Sequence, residues 1–335
     1  MSQNKQIIVR EIPKGQLGKE HFETQTVAMP TPGDGELLIK TILMSIDAAN
    51  RAWMQGATYR EAVKPGDVMH TYSIGQVIES KSDSHTVGDI VAVEAGWSEH
   101  VVVKAKRAQK MPKMASLSHL ISVFGIAGRT AYHGLVDVGR PLAGETVLIS
   151  AAAGSVGGYV GQIAKSLGCR AVGIAGGPEK CAWVKEELGF DDCIDYRAPG
   201  LFKAIHAACP DGVDVYFDNV GGEILETVLF QMNDNGRVAC CGAISQYDGS
   251  APSGPRNLPG MVVVKRLRME GFIVTDFAKE AHRATKELQQ LVQAGKLKIQ
   301  EDIFEGLERA PDALIGLLAG DNRGKRMVRV APDPA

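Results

Sequence analysis

The apolar run Val147-Leu148-Ile149-Ser150 passes directly into Ala151-Ala152-Ala153-Gly154-Ser155-Val156-Gly157-Gly158, the pattern of a strand feeding a glycine turn that opens a helix. Gly154 and Gly157 carry no side chain to hold the backbone away from an anion. The exposed N–H groups and positive dipole end of a helix expected over 157–167 would point at that anion. A dinucleotide is the expected ligand, held by its pyrophosphate. The turn lacks the first glycine of the common fingerprint, Ala151 standing near that place, and a purely structural tight turn leaves a similar trace.

A length of 335 residues implies roughly two domains, each with a sizeable core. Lys and Arg number 37 against 39 Asp and Glu, a formal charge of -2, and no block of like charge marks a nucleic-acid or membrane surface. Small molecules are the expected partners. The opening MSQNKQIIVREIPKG has no apolar signal core, and no run approaches the ~18 apolar residues of a spanning helix, so a cytoplasmic location is expected. All six cysteines lie at or beyond Cys169 without a C-x-x-C pair, which favours neither a disulfide framework nor a zinc knuckle. Cys240 and Cys241, adjacent in a strand-like run, face opposite sides and read as packing residues.

Up to about residue 125 the chain reads as short strands broken by Gly and Pro turns, over 6–10, 36–43, 73–80, 89–94 and 98–103, an all-β barrel-like lobe. From 126 strands alternate with helices: 146–150, helix 157–167, 170–175, helix 178–188, 192–195, helix 200–208, 213–218, helix 221–232, 236–242 and 269–274. That alternation predicts a doubly wound parallel sheet. The stretch 245–265, with Pro252, Pro255 and Pro259, reads as a long loop after a strand's carboxyl end and a candidate lid. A helix over 279–294 follows. The tail, with a short helix at 310–319, is expected to rejoin the first lobe. The expected division is 1–125, 126–298 and 299–335.

An NAD site usually places an acid at the end of the second strand, where its carboxylate bonds the ribose 2′-hydroxyl and repels a 2′-phosphate. Here the strand ends Ile174-Ala175-Gly176-Gly177, and Lys180 follows, able to neutralise a phosphate. NADP(H) is therefore favoured. Glu179 leaves an opening for NAD, although behind Pro178 it also fits as an acid in a helix's first turn.

The segments AAAGSVGGYVGQIAKSLGC, YFDNVGGE, RVACCGAISQY and GFIV, in this order, resemble the zinc-free medium-chain dehydrogenase/reductases. Within these the chain looks most like the prostaglandin and 2-alkenal double-bond reductases and the bacterial curcumin-reductase-like enzymes. The resemblance implies an α/β fold with a GroES-like, β-rich catalytic domain, a Rossmann doubly wound parallel sheet, a returning C-terminal segment and a homodimer. It places the pyrophosphate turn on Gly154, Ser155, Val156 and Gly157, and the 2′-phosphate contacts on Lys180 and Tyr196. It assigns Asn219 to the coenzyme cleft, with Cys241, Gly242, Ala243, Ile244, Ser245 and Tyr247 in the segment beside the nicotinamide. Phe272, Ile273 and Val274 correspond to backbone contacts with the carboxamide, and Asn322 to a coenzyme contact from the tail. The chain departs from the family where Asp-Pro-Tyr-Met-Arg is usual: it reads Asp47-Ala48-Ala49-Asn50-Arg51, with Ala49 in the tyrosine's place and Asn50, Trp53 and Tyr59 as nearby candidates.

A zinc alcohol dehydrogenase site needs a cysteine and a histidine in the first lobe. The first 168 residues contain no cysteine, Ser45 stands at the likely ligand position, and His70, His100 and His133 show no ligand spacing, so no metal is expected. A metal-free nicotinamide site suits a double bond conjugated to a carbonyl, because the enolate formed by hydride addition at the β-carbon can be held by hydrogen bonds. Tyr247 is the candidate donor, its alternative role being to pack under the 248–260 loop. Met44, Trp53 and Phe272 are candidates to cover a hydrophobic enone or enal. An NADPH quinone oxidoreductase, or a non-catalytic NADPH-binding protein, remains an alternative reading.

Overall fold

The computed structural model describes residues 3–112, 114, 116–248 and 254–334. The first lobe contains β1 (Gln3–Val9), β2 (Phe22–Ala28), β3 (Glu36–Ser45), α1 (Ala49–Gln55), β4 (His70–Ser80), β5 (Ile90–Gly96), β6 (His100–Lys104) and β7 (Gln109–Lys110). β1 and β2 form an antiparallel pair, whereas β3 is the spine of a larger sheet and pairs with β4 and β6. Its sequence ELLIKTILMS is apolar on both faces because both are covered; only Lys40 is fully exposed.

α2 (Ile126–His133) leads into the second lobe, followed by β8 (Thr146–Ser150), α3 (Ser155–Ser166), β9 (Arg170–Ala175), α4 (Pro178–Glu186) and β10 (Asp192–Asp195). α5 (Leu201–Ala208), β11 (Val213–Asp218), α6 (Gly222–Gln231), β12 (Met232–Cys240), α7 (Leu258–Lys265), β13 (Arg268–Gly271) and α8 (Ala281–Gln293) complete it. The six strands are all parallel in the order β10-β9-β8-β11-β12-β13, which is the Rossmann arrangement. β8 explains why both faces must be apolar: Val147 and Ile149 enter the core beneath α2, α3 and α8, while Leu148 enters the opposite core with α5 and α6. Helix α3 lies close against the sheet at Gly161, where a Cβ would stand 1.8 Å from the Phe190 ring.

The tail adds β14 (Glu301–Glu305), α9 (Ala310–Leu318) and β15 (Lys325–Arg329). β15 pairs with β3, so the chain ends inside the first lobe's sheet, and the Gly324 N–H donates to the Ala153 carbonyl at 2.9 Å. The tail thereby ties both lobes together beside the glycine turn.

Several elements differ from their sequence pattern. β2 reads FETQTVA, too polar to signal a strand, and forms because β1 pairs along its whole length. The strand expected over 269–274 ends at Gly271, and Phe272 turns into the core to meet Phe217 and Phe277 edge-on. The stretch expected to be loop throughout 245–265 contains α7, whose Pro259 sits in the first turn where no N–H is needed. Part of that candidate lid, 249–253, falls outside the described residues. Among the described residues, no helix is long and apolar enough to cross a membrane.

Candidate active site

The strand order reverses between β8 and β11, and their carboxyl ends open into a cleft of about 910 Å³ lined by both lobes. At the end of β8, Ala151 adopts a left-handed backbone (φ 51°), a conformation that usually calls for glycine and costs about 1–2 kcal/mol in other residues. Its carbonyl would lie 2.4 Å from a Cβ at residue 157, so Gly157 is required by close approach. Gly154 caps α3, and Ser155, Val156 and Gly157 begin or follow its first turn on the cleft wall. The Ser155 hydroxyl is buried without a partner there, beside the helix's first free N–H groups. These groups form an anion cradle that fits a pyrophosphate.

A buried carboxylate shapes the opposite wall. Asp218 Oδ1 accepts the Val220 N–H (3.0 Å), the Gly221 N–H (2.9 Å) and the Tyr216 hydroxyl (2.9 Å). Burial raises its titration above the ordinary carboxylate range, against the pull of those same hydrogen bonds. Asn219 is fixed by Ser150, whose hydroxyl accepts the Asn219 N–H at 2.9 Å while its carbonyl accepts from Asn219 Nδ2 at 2.8 Å. The Cys241 and Gly242 N–H groups donate to the Asp218 carbonyl, and Ile244 and Ser245 donate to Asn219 and Val220, which lays 241–245 along the cleft. Desolvation pushes the Cys241 thiol up to about 12, so it stays protonated and packs.

The cleft's far end is cationic. Lys180 and Tyr196 line it as the sequence pattern implies, joined by Arg197, whose guanidinium stands over the Tyr196 ring at 5.9 Å. The Lys180 ammonium donates to the carbonyls of Gly320 and, at 2.7 Å, Asn322. Burial lowers its pKa, with Arg197, Arg323 and Arg326 acting in the same direction and Asp321 against it. No acid ends β9. The nearest strand-end acid, Asp195 of β10, is already taken up by the N–H groups of Gly177 (2.8 Å) and Arg197 (2.9 Å). Arg197 escaped the sequence reading, its one signal being its place directly after Tyr196.

At the near end Tyr247 faces a wall made by Ala49, Asn50, Trp53 and Tyr59 of the first lobe. Its oxygen accepts the Ala243 N–H at 3.1 Å, leaving the phenolic proton available to a further acceptor. Ile273 and Val274 line the cleft, and Asn322 does so while donating to the Gly324 carbonyl at 3.0 Å. Two expected substrate covers are corrected. Met44 is fully buried in the first lobe's core, and the Phe272 ring belongs to the aromatic core behind the cleft, because each side chain points to the inner face of its segment. Ser45 donates to Asp47, and Asp47 pairs at 2.5 Å with Lys325, an almost fully buried ammonium. Where a metal ligand would be sought there is thus a protein cation already matched to its carboxylate. Elsewhere His133, Asp137 and Glu280 lie close enough to share a metal ion, but the Arg283 guanidinium already bridges both carboxylates at 2.8 Å.

Residues 5–111 match the family model described as the N-terminal domain of oxidoreductase, and 155–293 match the model described as zinc-binding dehydrogenase. The NADPH-dependent curcumin reductase of Escherichia coli is 38% identical, covering 98% of both chains. The chain belongs to the medium-chain dehydrogenase/reductase family. The NADP(+)-dependent 2-alkenal reductase of Nicotiana tabacum is also 38% identical over 98% of each chain. The crystal structure of CurA from Vibrio vulnificus in complex with NADPH superimposes with a TM-score of 0.94, at 37% identity over 98% of this chain and 100% of that one.

Because Asp218 binds its proton more tightly in the folded state, its ionisation weakens the fold as pH rises through its raised range. Asp218→Asn keeps the accepting Oδ1 and removes that ionisation. In denaturant titrations from pH 4 to pH 8, the variant should gain stability relative to the native chain as pH rises. A difference independent of pH would show that Asp218 does not titrate there.

Proposed function

We propose that this NADP-dependent oxidoreductase reduces the carbon–carbon double bond of α,β-unsaturated aldehydes and ketones without a metal, leaving the carbonyl intact. The observation that carries the reading is Tyr247, a phenol whose oxygen accepts the Ala243 N–H, in a cleft whose first-lobe wall sets Ala49, Trp53 and Tyr59 beside the ion pair Arg60–Glu94, while Lys325 behind that wall is neutralised by Asp47. Similarity to the 2-alkenal reductase of Nicotiana tabacum, an enzyme acting on an α,β-unsaturated aldehyde, supports the same substrate class.

Bound NADPH supplies a hydride from nicotinamide C4 to the substrate β-carbon, and one proton from solvent completes the reduction at the α-carbon. The Tyr247 hydroxyl holds the oxygen on which charge develops and stands within reach to pass on a proton. An enolate spreads its charge and asks less of a neutral donor than an alkoxide does. Trp53 and Ile126 exclude water from the substrate end. Gly154, Ser155, Val156 and Gly157 cradle the pyrophosphate, while Asn219, the 241–245 segment, the 272–274 backbone and Asn322 flank the rest of the coenzyme. Lys180 and Tyr196, with Arg197, receive the 2′-phosphate, the lysine exchanging the Gly320 and Asn322 carbonyls for it. We further propose a cytoplasmic homodimer, supported by the unpaired edge of β13 and by Val263 and Val264 on neighbouring α7, 73% and 68% exposed.

Lys180→Ala should raise the KM for NADPH about 10- to 100-fold, the worth of one charge-assisted hydrogen bond, and leave that for NADH nearly unchanged. Since burial lowers the lysine's pKa, the native preference for NADPH should fade on the alkaline side before an ordinary lysine would titrate. Equal use of both coenzymes by the native chain would contradict the assignment. Tyr247→Phe should lower kcat for an enal ~10- to 100-fold with a smaller change in KM; an unchanged kcat removes the donor role. Light scattering at micromolar concentration should give the mass of two chains, and the mass of one would exclude the dimer.

A further inference from the structure

α1 presents Ala49, Asn50 and Trp53 to the cleft, yet two of its other side chains turn to the segment that carries Tyr247. Arg51 is 2% exposed, an unusual burial for a guanidinium. Its Nε donates to Asp248 Oδ1 at 3.1 Å and its Nη2 to the Gly15 carbonyl at 3.0 Å. The same Asp248 oxygen accepts the Leu17 N–H at 2.8 Å, and Gln55 Nε2 donates to the Gln246 carbonyl at 3.2 Å. Both residues flanking Tyr247 in the Rossmann lobe are therefore fastened to the catalytic lobe. Among the described residues Arg51 Nη1 is buried with no hydrogen-bond partner, so the guanidinium occupies this place although that nitrogen's N–H groups go unsatisfied.

A buried ion pair is poor as simple glue, because desolvating both groups offsets much of their attraction. It is good at fixing one geometry, since a guanidinium fork engages its acceptors only in a narrow range of orientations. We infer that Arg51 is a positioning residue for the reduction: through Asp248 it fixes the Tyr247 hydroxyl relative to the α1 wall of the cleft. This rests on the proposed role of Tyr247 as donor to the substrate oxygen. The pair spans the two lobes at the cleft's near end, as the Gly324–Ala153 bond does beside the glycine turn, so the gap between Tyr247 and α1 is set from both ends. A shift of about 1 Å at a reacting group is enough to cost on the order of 100-fold in rate.

Asp248, 19% exposed, can be changed with little disturbance of the core, and the coenzyme's phosphate-binding residues lie elsewhere in the cleft. The test is a cycle of Asp248→Asn and Tyr247→Phe, with kcat and KM measured on an enal and NADPH affinity followed by coenzyme fluorescence. Asp248→Asn alone should lower kcat about 10-fold with the NADPH Kd within twofold of native, and should cost less than twofold further in the Tyr247→Phe background. Gln55→Ala, at a more exposed anchor, should give a smaller kcat loss that also disappears in that background. Equal losses from Asp248→Asn in both backgrounds, or a native kcat for Asp248→Asn where Tyr247→Phe is impaired, would overturn the positioning role alone. A native kcat for Tyr247→Phe would overturn the donor role and, with it, this inference. Should Asp248→Asn fail to fold, Arg51→Lys in the same cycle carries the decision, with the same kcat loss expected and the same results overturning the role.

Discussion

Asp218 is the constraint on which the cleft depends. Its one engaged oxygen gathers the N–H groups of Val220 and Gly221 and the Tyr216 hydroxyl, so the chain turns sharply at the end of β11. That turn presents Asn219 to Ser150 at the end of β8 and lends its carbonyls to the 241–245 segment. β8 and β11 are ladder neighbours, and these bonds extend their pairing past the last strand residues to the loops that part at the reversal of sheet order. A carboxylate so deeply buried is tolerated because four groups point donors at it, although burial still lifts its titration. The coenzyme walls on both sides of the crevice inherit their positions from this cluster.

The two ends of the cleft solve opposite electrostatic problems. At the far end Lys180, Arg197, Arg323 and Arg326 crowd together, and their mutual repulsion adds to burial in lowering the lysine's pKa. Arg326 is paired with Asp302 and Arg323 with Glu179, which leaves Lys180 and Arg197 on the cleft wall to attract a dianionic phosphate more strongly than a neutral ribose hydroxyl. At the near end the buried Lys325 is neutralised by Asp47 and Arg60 by Glu94, so the charges beside Ala49, Trp53, Tyr59 and Tyr247 are paired.

The Rossmann lobe was legible because its strands are buried on both faces and its helices are short, so Val147 to Ser150 and the glycine spacing announced themselves. Lys180 could be reached from its place after the acid-free end of β9 and Tyr196 by family resemblance, but Arg197 could not, since an arginine after a strand is commonplace until its guanidinium is seen over Tyr196. Phe272 shows the limit of carrying positions over: its backbone borders the 273–274 lining, while its ring meets Phe217 in the core. The Arg51–Asp248 pair joins residues 197 positions apart, and no local periodicity links an arginine on a short first-lobe helix to an acid beyond β12. Long-range polar pairing of this kind arises from the packing of the two lobes.

The carbon that receives the hydride distinguishes double-bond reduction from carbonyl reduction. Turnover of an enone with NADPH deuterated at the transferred C4 position, followed by mass spectrometry and NMR of the product, reads this directly. Double-bond reduction places deuterium on the β-carbon of a saturated carbonyl compound. Deuterium on the carbonyl carbon of an unsaturated alcohol would contradict it and make the chain a carbonyl reductase.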